Sequence, residues 1–159
     1  MRTVSADPEL RLQHALEVAH RYLSHRDRTV AEMRRQLESR RVEPETIEQC
    51  LAMLLDQKYL DDARYAQLFA EDRRRLDGWG TERIERRLIH YGVPRAEIAG
   101  ALEALGPADE LAAALEVLRS RLQAPPADDR ERERALGLLV RRGYELEVAY
   151  DAVRAFGRD

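Results

Sequence analysis

Apolar residues recur along this chain at a fixed interval of 51 residues. Leu37, Leu88 and Leu139 are separated by this interval, and neighbouring positions keep the same register. Further matching sets are Met33, Ile84 and Ala135; Val42, Val93 and Tyr144; Cys50, Ala101 and Ala152; and Leu54, Leu105 and Phe156. Such a period is typical of one structural unit built three times, with each unit burying its apolar face partly against the next. An array of this kind is more often a binding surface than an enzyme pocket.

The composition favours helices over strands. The chain has 159 residues, and the helix formers Ala, Leu, Glu and Arg far outnumber β-branched residues. The apolar fraction of 44% is enough for a core, and the charged fraction of 36% requires a solvent face dense with charges. We therefore predict an all-α protein in which three tandem three-helix repeats form an elongated, curved array. The predicted repeats span residues 9–59, 60–106 and 107–157.

Several classes of protein are disfavoured by the same composition. Cys50 is the single cysteine, which excludes an internal disulfide and suggests a small buried apolar residue rather than a metal ligand. No apolar run is long enough to span a membrane, and the first residues do not resemble a signal peptide. The net charge of −3 argues against nucleic-acid binding through bulk charge alone. We predict a cytoplasmic monomer without cofactor or metal.

Helix starts are marked by capping residues. Thr29 and Glu32 have the spacing of a capping box, and Pro44 suits the first position of the next helix. Asp61–Asp62 and Thr81 are predicted to cap later helices. The paired aspartates also raise the alternative of a metal or acid–base site, but a helix cap explains adjacent carboxylates better.

Helix ends are marked by residues in matching positions of the repeat. Gly92 and Gly143 suit the left-handed conformation that terminates a helix. Arg41 occupies the same position in the first unit, where this conformation would cost about 1 kcal/mol.

Several segments together resemble the RecX family of recombination regulators, over about residues 9–156. The segments are His25–Thr29, Glu32–Met33, Tyr59–Asp62, Arg64–Ala66, Gly78–Gly80, Arg83–Ile84, Gly92–Val93 and Arg141–Tyr144. Their order and spacing make the resemblance specific. The chain departs from the family at Arg41 and Lys58, where family members usually have glycine, which affects local turn geometry only.

The resemblance implies a small, modular, all-helical protein that binds RecA. Members of the family are understood to lodge in or cap the filament of RecA on single-stranded DNA. They thereby limit filament growth, ATP hydrolysis and strand exchange in DNA repair and recombination. The family supplies no catalytic residues and no short contact motif to transfer to this sequence.

Charge alternates along the repeat independently of any resemblance. Seven arginines and three acidic residues lie between Arg21 and Arg41, and the same numbers lie between Arg73 and Arg95. By contrast, Glu43–Asp62 contains six acidic residues and one lysine, and Ala96–Val117 contains five acidic residues and no base. If the repeats stack in register, a basic stripe lies beside an acidic stripe.

The basic stripe would contact phosphates or an acidic face of a protein. Its candidate contact residues are Arg34, Arg35, Arg73, Arg74, Arg75, Trp79, Arg83, Arg86 and Arg87. The alternative is a solvated face whose charges pair with one another. Trp79 could stack on a base or fill a pocket of a partner, or it could pack in the core beside a turn made by Gly78 and Gly80.

A different function that fits the pattern is a DNA-binding module of helix-turn-helix type, which would bind DNA tightly and with a steep dependence on salt. For a RecA-binding protein, we predict only weak direct binding to DNA. Glu43, Glu45 and Glu48 argue against the helix-turn-helix module, because phosphates would repel an acidic recognition helix. An enzyme has no positive support, since the four histidines are scattered and no nucleophile, metal or phosphate-loop motif is present.

Overall fold

The fold is helical throughout the part of the chain that the structure, a computed structural model, describes: residues 7–158. Within this range there are nine α-helices and no strand. They are α1 (Pro8–Leu23), α2 (Val30–Ser39), α3 (Pro44–Asp56), α4 (Asp62–Asp77), α5 (Thr81–His90), α6 (Arg95–Leu105), α7 (Pro107–Arg121), α8 (Asp129–Arg141) and α9 (Leu146–Phe156). The prediction of an all-α chain of three three-helix repeats is confirmed. The elongated, curved shape and the repeat boundaries stay predictions.

The local signals at helix starts act largely as predicted. The Thr29 hydroxyl accepts a hydrogen bond from the Glu32 N–H at 3.1 Å, and the Glu32 carboxylate accepts one from the Thr29 N–H at 3.1 Å. Pro44 is the first residue of α3. The carboxylate of Asp61 accepts a hydrogen bond from the Arg64 N–H at 3.0 Å and caps α4. These caps satisfy backbone donors that a helix leaves unpaired at its start.

Thr81 is not the cap of α5, which corrects the prediction by one residue. Gly80 holds the cap position, since its carbonyl accepts the first helical hydrogen bond, from the Ile84 N–H at 3.2 Å. The Thr81 hydroxyl instead accepts a hydrogen bond from Arg74, and its N–H donates to the Glu110 carboxylate at 3.3 Å. A glycine has no side chain for capping, so a distant carboxylate takes over that role.

The turn after the middle helix of each repeat has a left-handed residue at the predicted place. The φ angles are 60° at Arg41, 81° at Gly92 and 96° at Gly143. The first unit therefore keeps this geometry with a side chain present, at a cost of about 1 kcal/mol.

Contacts divide the molecule into two compact units. The first unit consists of the described residues up to Tyr65, together with Tyr91–Pro94. Its core comprises Ala15, Ala19, Met33, Leu37, Ile47, Cys50, Leu51, Leu54 and Leu60. Cys50 is fully buried, and burial raises the pKa of its thiol to about 11. This environment agrees with the predicted small apolar role of Cys50.

The second compact unit consists of Ala66–His90 and the described residues from Arg95 onward. Its core, contributed by α7, α8, α9 and the turn between α8 and α9, comprises Ala114, Val117, Leu118, Ala135, Leu139, Tyr144, Ala149, Ala152, Val153 and Phe156. Ile84 and Leu88 of α5 are also fully buried.

In both units, the start of a middle helix is held by the following repeat. In the first unit, the Thr29 hydroxyl donates to the Tyr91 carbonyl at 2.6 Å, and the Val30 N–H donates to the Asp62 carboxylate at 3.0 Å. Asp62 therefore caps α2 from α4, a role that its position in the sequence did not reveal.

The second unit repeats this arrangement 51 residues further along. The Gly80 N–H donates to the Arg142 carbonyl at 2.8 Å, and the Glu82 N–H donates to the Gly143 carbonyl at 2.9 Å. Glu110 of α7 supplies the carboxylate that Asp62 supplies in the first unit. The start of α5 is thereby fixed on the turn between α8 and α9.

Candidate interaction surface

Arg74, one of the predicted contact residues, is buried inside the second unit. It is 6% exposed, and its guanidinium donates to the Trp79 carbonyl at 2.8 Å, to the Asp109 carboxylate at 2.8 Å and to the Thr81 hydroxyl at 3.0 Å. A buried guanidinium with three such partners stabilises the turn between α4 and α5. Arg74 therefore positions its neighbours and does not present its charge to a partner.

The two arginines beside Arg74 are more accessible. Arg73 pairs with Asp77, one helical turn away, and remains partly exposed. The Arg75 side chain is 75% exposed, and its nearest carboxylate is that of Asp72 at 3.6 Å. An exposed pair of this kind contributes little to stability, so Arg75 can exchange its partner at small cost.

Trp79 is half-buried and surrounded by aromatic and cationic side chains. Its ring meets that of Phe69 edge to face, with centroids 6.1 Å apart. The guanidinium carbon of Arg83 lies 4.2 Å from the Trp79 ring centroid, and those of Arg73 and Arg87 lie 6.0 Å away. These distances are typical of cation–π contacts. Trp79 is thus partly packed and partly exposed in a positively charged setting.

The glycines that flank Trp79 are both required by close packing. Gly78 has a φ of 64°, and a Cβ added there would lie 2.7 Å from a methyl group of Val117. A Cβ on Gly80 would overlap the backbone of Gly143. The tight turn expected from these glycines is present, and it fixes the place of the Trp79 ring.

Three of the predicted arginines are exposed and have no acidic partner among residues 7–158. They are Arg35 on α2 and Arg86 and Arg87 on α5. Their guanidinium groups are available to carboxylates or phosphates from outside.

Arg34 is already engaged within the first unit. It pairs with Glu48 of α3, and this hydrogen bond raises the pKa of Arg34 and lowers the pKa of Glu48. Glu43, the N-cap residue of α3, pairs with Arg11 of α1 at 3.0 Å. Basic and acidic helices of this unit therefore neutralise part of each other's charge. Arg34 and Arg35 lie in the first unit and the other candidates in the second; their alignment in one stripe stays a prediction.

Two further arginines lie beside Trp79, and sequence reasoning missed both. Arg121 ends α7 and Arg142 caps α8, more than 40 residues along the chain from the tryptophan. They line an open cavity of about 500 Å³ together with Leu76, Asp77, Trp79 and Arg83. The Arg142 guanidinium donates to the Asp77 carbonyl at 2.7 Å. No local sequence pattern predicts this cluster, because its members come from different repeats.

Across residues 7–158, no three His, Cys, Asp or Glu side chains are grouped so that they could hold a metal ion. None of the helices described has both the length and the apolar character needed to cross a membrane.

Two family models match consecutive parts of the chain. The model described as "RecX, first three-helix domain" matches residues 15–54, and "RecX, second three-helix domain" matches residues 61–102. Among curated proteins, Regulatory protein RecX of Leptothrix cholodnii is 35% identical, over 86% of this chain and 85% of that protein. Regulatory protein RecX of Thermobifida fusca is 33% identical, over 94% of this chain and 82% of that protein.

Solved structures share the fold. The crystal structure of RecX from Lactobacillus salivarius superposes with a TM-score of 0.85 at 17% identity, and covers 95% of this chain and 99% of that one. A second crystal structure, of a regulatory protein RecX, gives a TM-score of 0.77 at 21% identity, and covers 98% of this chain and 81% of that one.

Proposed function

The chain belongs to the RecX family, and from this premise we propose that it binds the RecA filament on single-stranded DNA and restrains it. The restraint acts on filament growth, ATP hydrolysis and strand exchange. The observation that carries the proposal is the consecutive match to two RecX three-helix domains, supported by relatives that are named regulatory proteins. In this proposal the protein acts in the cytoplasm as a monomer without a cofactor.

The proposed contact surface lies on α5 of the second unit and consists of Arg86 and Arg87, exposed cations without an acidic partner among residues 7–158. Arg35 occupies the corresponding position on α2 of the first unit and is proposed as a separate contact residue. Arginines without an internal partner lose less on binding than paired ones, because no existing ion pair has to break. Arg74 is not part of this surface, since its guanidinium is used within the fold.

The helix-turn-helix alternative gains no support from the geometry. Glu43 at the N-cap of α3 and Glu45 and Glu48 within α3 are all exposed, and α3 is the helix that would have to enter a DNA groove. Direct DNA binding by the protein alone would be strong and steeply dependent on salt if this alternative held. We expect weak binding instead.

The central experiment is a titration of the protein into RecA that hydrolyses ATP on single-stranded DNA. The proposal predicts a dose-dependent fall in the rate of hydrolysis. An unchanged rate at a stoichiometric excess over RecA would reject the proposal.

A charge-reversal variant tests the surface. We expect Arg86→Glu with Arg87→Glu to raise the concentration needed for half-inhibition by about tenfold, because two attractive contacts become repulsive. The matched control is Arg130→Glu with Arg134→Glu, which reverses two exposed arginines of α8 outside the surface. Circular dichroism verifies that helical content is retained. Equal loss in both variants would mean that net charge, rather than this surface, governs inhibition.

A further inference from the structure

The cavity beside Trp79 brings together side chains from two repeats of the second unit. Leu76, Asp77, Trp79 and Arg83 come from α4, α5 and the turn between them, whereas Arg121 and Arg142 come from α7 and α8. Its volume of about 500 Å³ is that of sites that hold small molecules or parts of larger ones.

The charge of the cavity is positive. Asp77 is the one carboxylate among its lining residues, and it is paired with Arg73. Arg83, Arg121 and Arg142 have no acidic partner in the described part of the chain. An oxyanion that enters the cavity would therefore find three guanidinium groups whose charge is not neutralised locally.

Two of these guanidinium groups are already held in place. Arg83 lies 4.2 Å from the centroid of the Trp79 ring, and Arg142 donates to the Asp77 carbonyl at 2.7 Å. Each retains further N–H donors in the planar arrangement that suits phosphate oxygens. Because these side chains are ordered beforehand, less rotamer freedom is lost when an anion binds.

The indole of Trp79 favours one class of anionic ligand over another. A carboxylate would account for the arginines but gives no use for a half-exposed tryptophan beside them. Single-stranded DNA carries a phosphate and a planar base in every nucleotide, and bases stack on aromatic side chains in proteins that bind single strands. Leu76 is 63% exposed at the edge of the cavity and offers an apolar contact to a sugar or base.

We propose that this cavity binds a phosphodiester group of single-stranded DNA through Arg83, Arg121 and Arg142, with a neighbouring base against Trp79. The inference rests on the proposed function, which brings the chain to single-stranded DNA, and it names the residues that hold the strand. It differs from the α5 surface formed by Arg86 and Arg87, because Arg121 belongs to another repeat.

The chain offers a reporter inside the proposed site, since Trp79 is its single tryptophan. Titration of the protein alone with a short oligothymidylate at low salt should quench tryptophan fluorescence to saturation. Affinity should fall as salt increases, since phosphate binding releases counterions. Absence of quenching and of any salt-dependent binding would overturn the inference.

Arg121→Glu tests the cavity directly. We expect about tenfold weaker binding and a log–log salt slope that is shallower by about 0.7, the change for one lost phosphate contact on a single strand. Arg119→Glu is the matched control on the same helix, because Arg119 does not line the cavity. The control should retain the parent slope and bind within about twofold of the parent. Equal weakening by both variants would overturn the inference.

A second variant and competing ligands complete the test. Arg121→Gln adds no negative charge and should also weaken binding. If circular dichroism shows that Arg121→Glu has lost helix, the affinity of Arg121→Gln is used in its place to judge the inference. Inorganic phosphate, ATP and polyglutamate are titrated in parallel. Quenching or competition by any of them as strong as that by the oligonucleotide would replace single-stranded DNA with a free phosphate compound or an acidic protein segment.

The test is independent of the proposed function. No RecA is present in the fluorescence titration, so a failure there leaves inhibition of RecA to be judged by its own assay. Inhibition by the parent protein without oligonucleotide quenching would overturn the cavity inference alone.

Discussion

The Tyr144 phenol must keep its proton to make a hydrogen bond that stabilises the fold. The side chain is fully buried, and its hydroxyl donates to the Gly78 carbonyl at 2.8 Å. Burial raises the pKa of Tyr144 to about 12 from the usual 10.0, against the opposing effect of nearby Arg74 and Arg142. A phenolate could not donate this hydrogen bond, so ionisation would weaken the turn that positions Trp79.

Stability should therefore fall at alkaline pH. The unfolded chain loses the phenolic proton near pH 10, whereas the folded chain holds it to about pH 12, so the contribution is present below pH 10 and is lost as the pH rises to 12. Tyr144→Phe should lower the free energy of unfolding at pH 8 by about 1–2 kcal/mol. It should then lose about 1 kcal/mol less than the parent between pH 8 and 11 in urea unfolding.

Tyr150→Phe is the matched control for this measurement, since Tyr150 lies in the same repeat and is 48% exposed. Its alkaline loss of stability should equal that of the parent. An alkaline loss in Tyr144→Phe as large as in the parent would contradict the assigned role of the phenol.

At the scale of elements, the same contact joins successive repeats twice: residues of the following repeat hold the start of a middle helix. The start of α2 is held by Tyr91 and Asp62, and the start of α5 is held by Arg142, Gly143 and a carboxylate from α7. Gly92 and Gly143 are needed for two reasons: each has a positive φ, and each lies too close to the neighbouring helix to carry a side chain. A Cβ on Gly92 would overlap Ala31, and a Cβ on Gly143 would overlap Arg83.

The position of Gly80 allows this contact to be tested without backbone strain. Gly80→Ala should destabilise the protein by about 2–3 kcal/mol, because the new Cβ would overlap the backbone of Gly143. Gly100→Ala is the control: Gly100 lies within α6, and a Cβ there meets nothing within 4 Å. The control should stabilise the protein by about 0.5–1 kcal/mol through helix propensity. Urea unfolding in which both variants change stability in the same direction would contradict the close contact.

At the scale of the whole molecule, each compact unit contains its own buried core. Leu37 and Leu139 occupy equivalent positions of the repeat, are both fully buried and belong to different cores. Their side chains provide matched probes of the two units.

Truncation of either leucine should destabilise mainly the unit that contains that leucine. Leu37→Ala and Leu139→Ala should each cost about 2–5 kcal/mol through lost burial and the cavity left behind. In hydrogen exchange, Leu139→Ala should increase exchange mainly in α7–α9, and Leu37→Ala mainly in α1–α3. Val140→Ala, at a position that is 43% exposed, should cost less than about 1 kcal/mol. Uniform acceleration across all helices by either leucine variant would contradict separate cores.

The helices, most of their caps, the left-handed turns and the resemblance to the family could all be predicted from the sequence. The physical reason is distance along the chain. Helix periodicity and a capping box such as Thr29 with Glu32 depend on residues three or four positions apart, and the 51-residue period repeats those local patterns. The same rule explains the error at Thr81, because the carboxylate at the start of α5 comes from Glu110, 29 residues away.

The candidate site depended on packing between repeats, which no local pattern encodes. The row Arg73, Arg74 and Arg75 is uniform in sequence, yet only the tertiary structure decided that Arg74 is buried in three hydrogen bonds while Arg75 reaches solvent. The structure alone placed Arg121 and Arg142 beside Trp79. Side-chain burial and long-range pairing are set by how helices pack against one another, and that packing joins residues whose separation in the chain carries no signal.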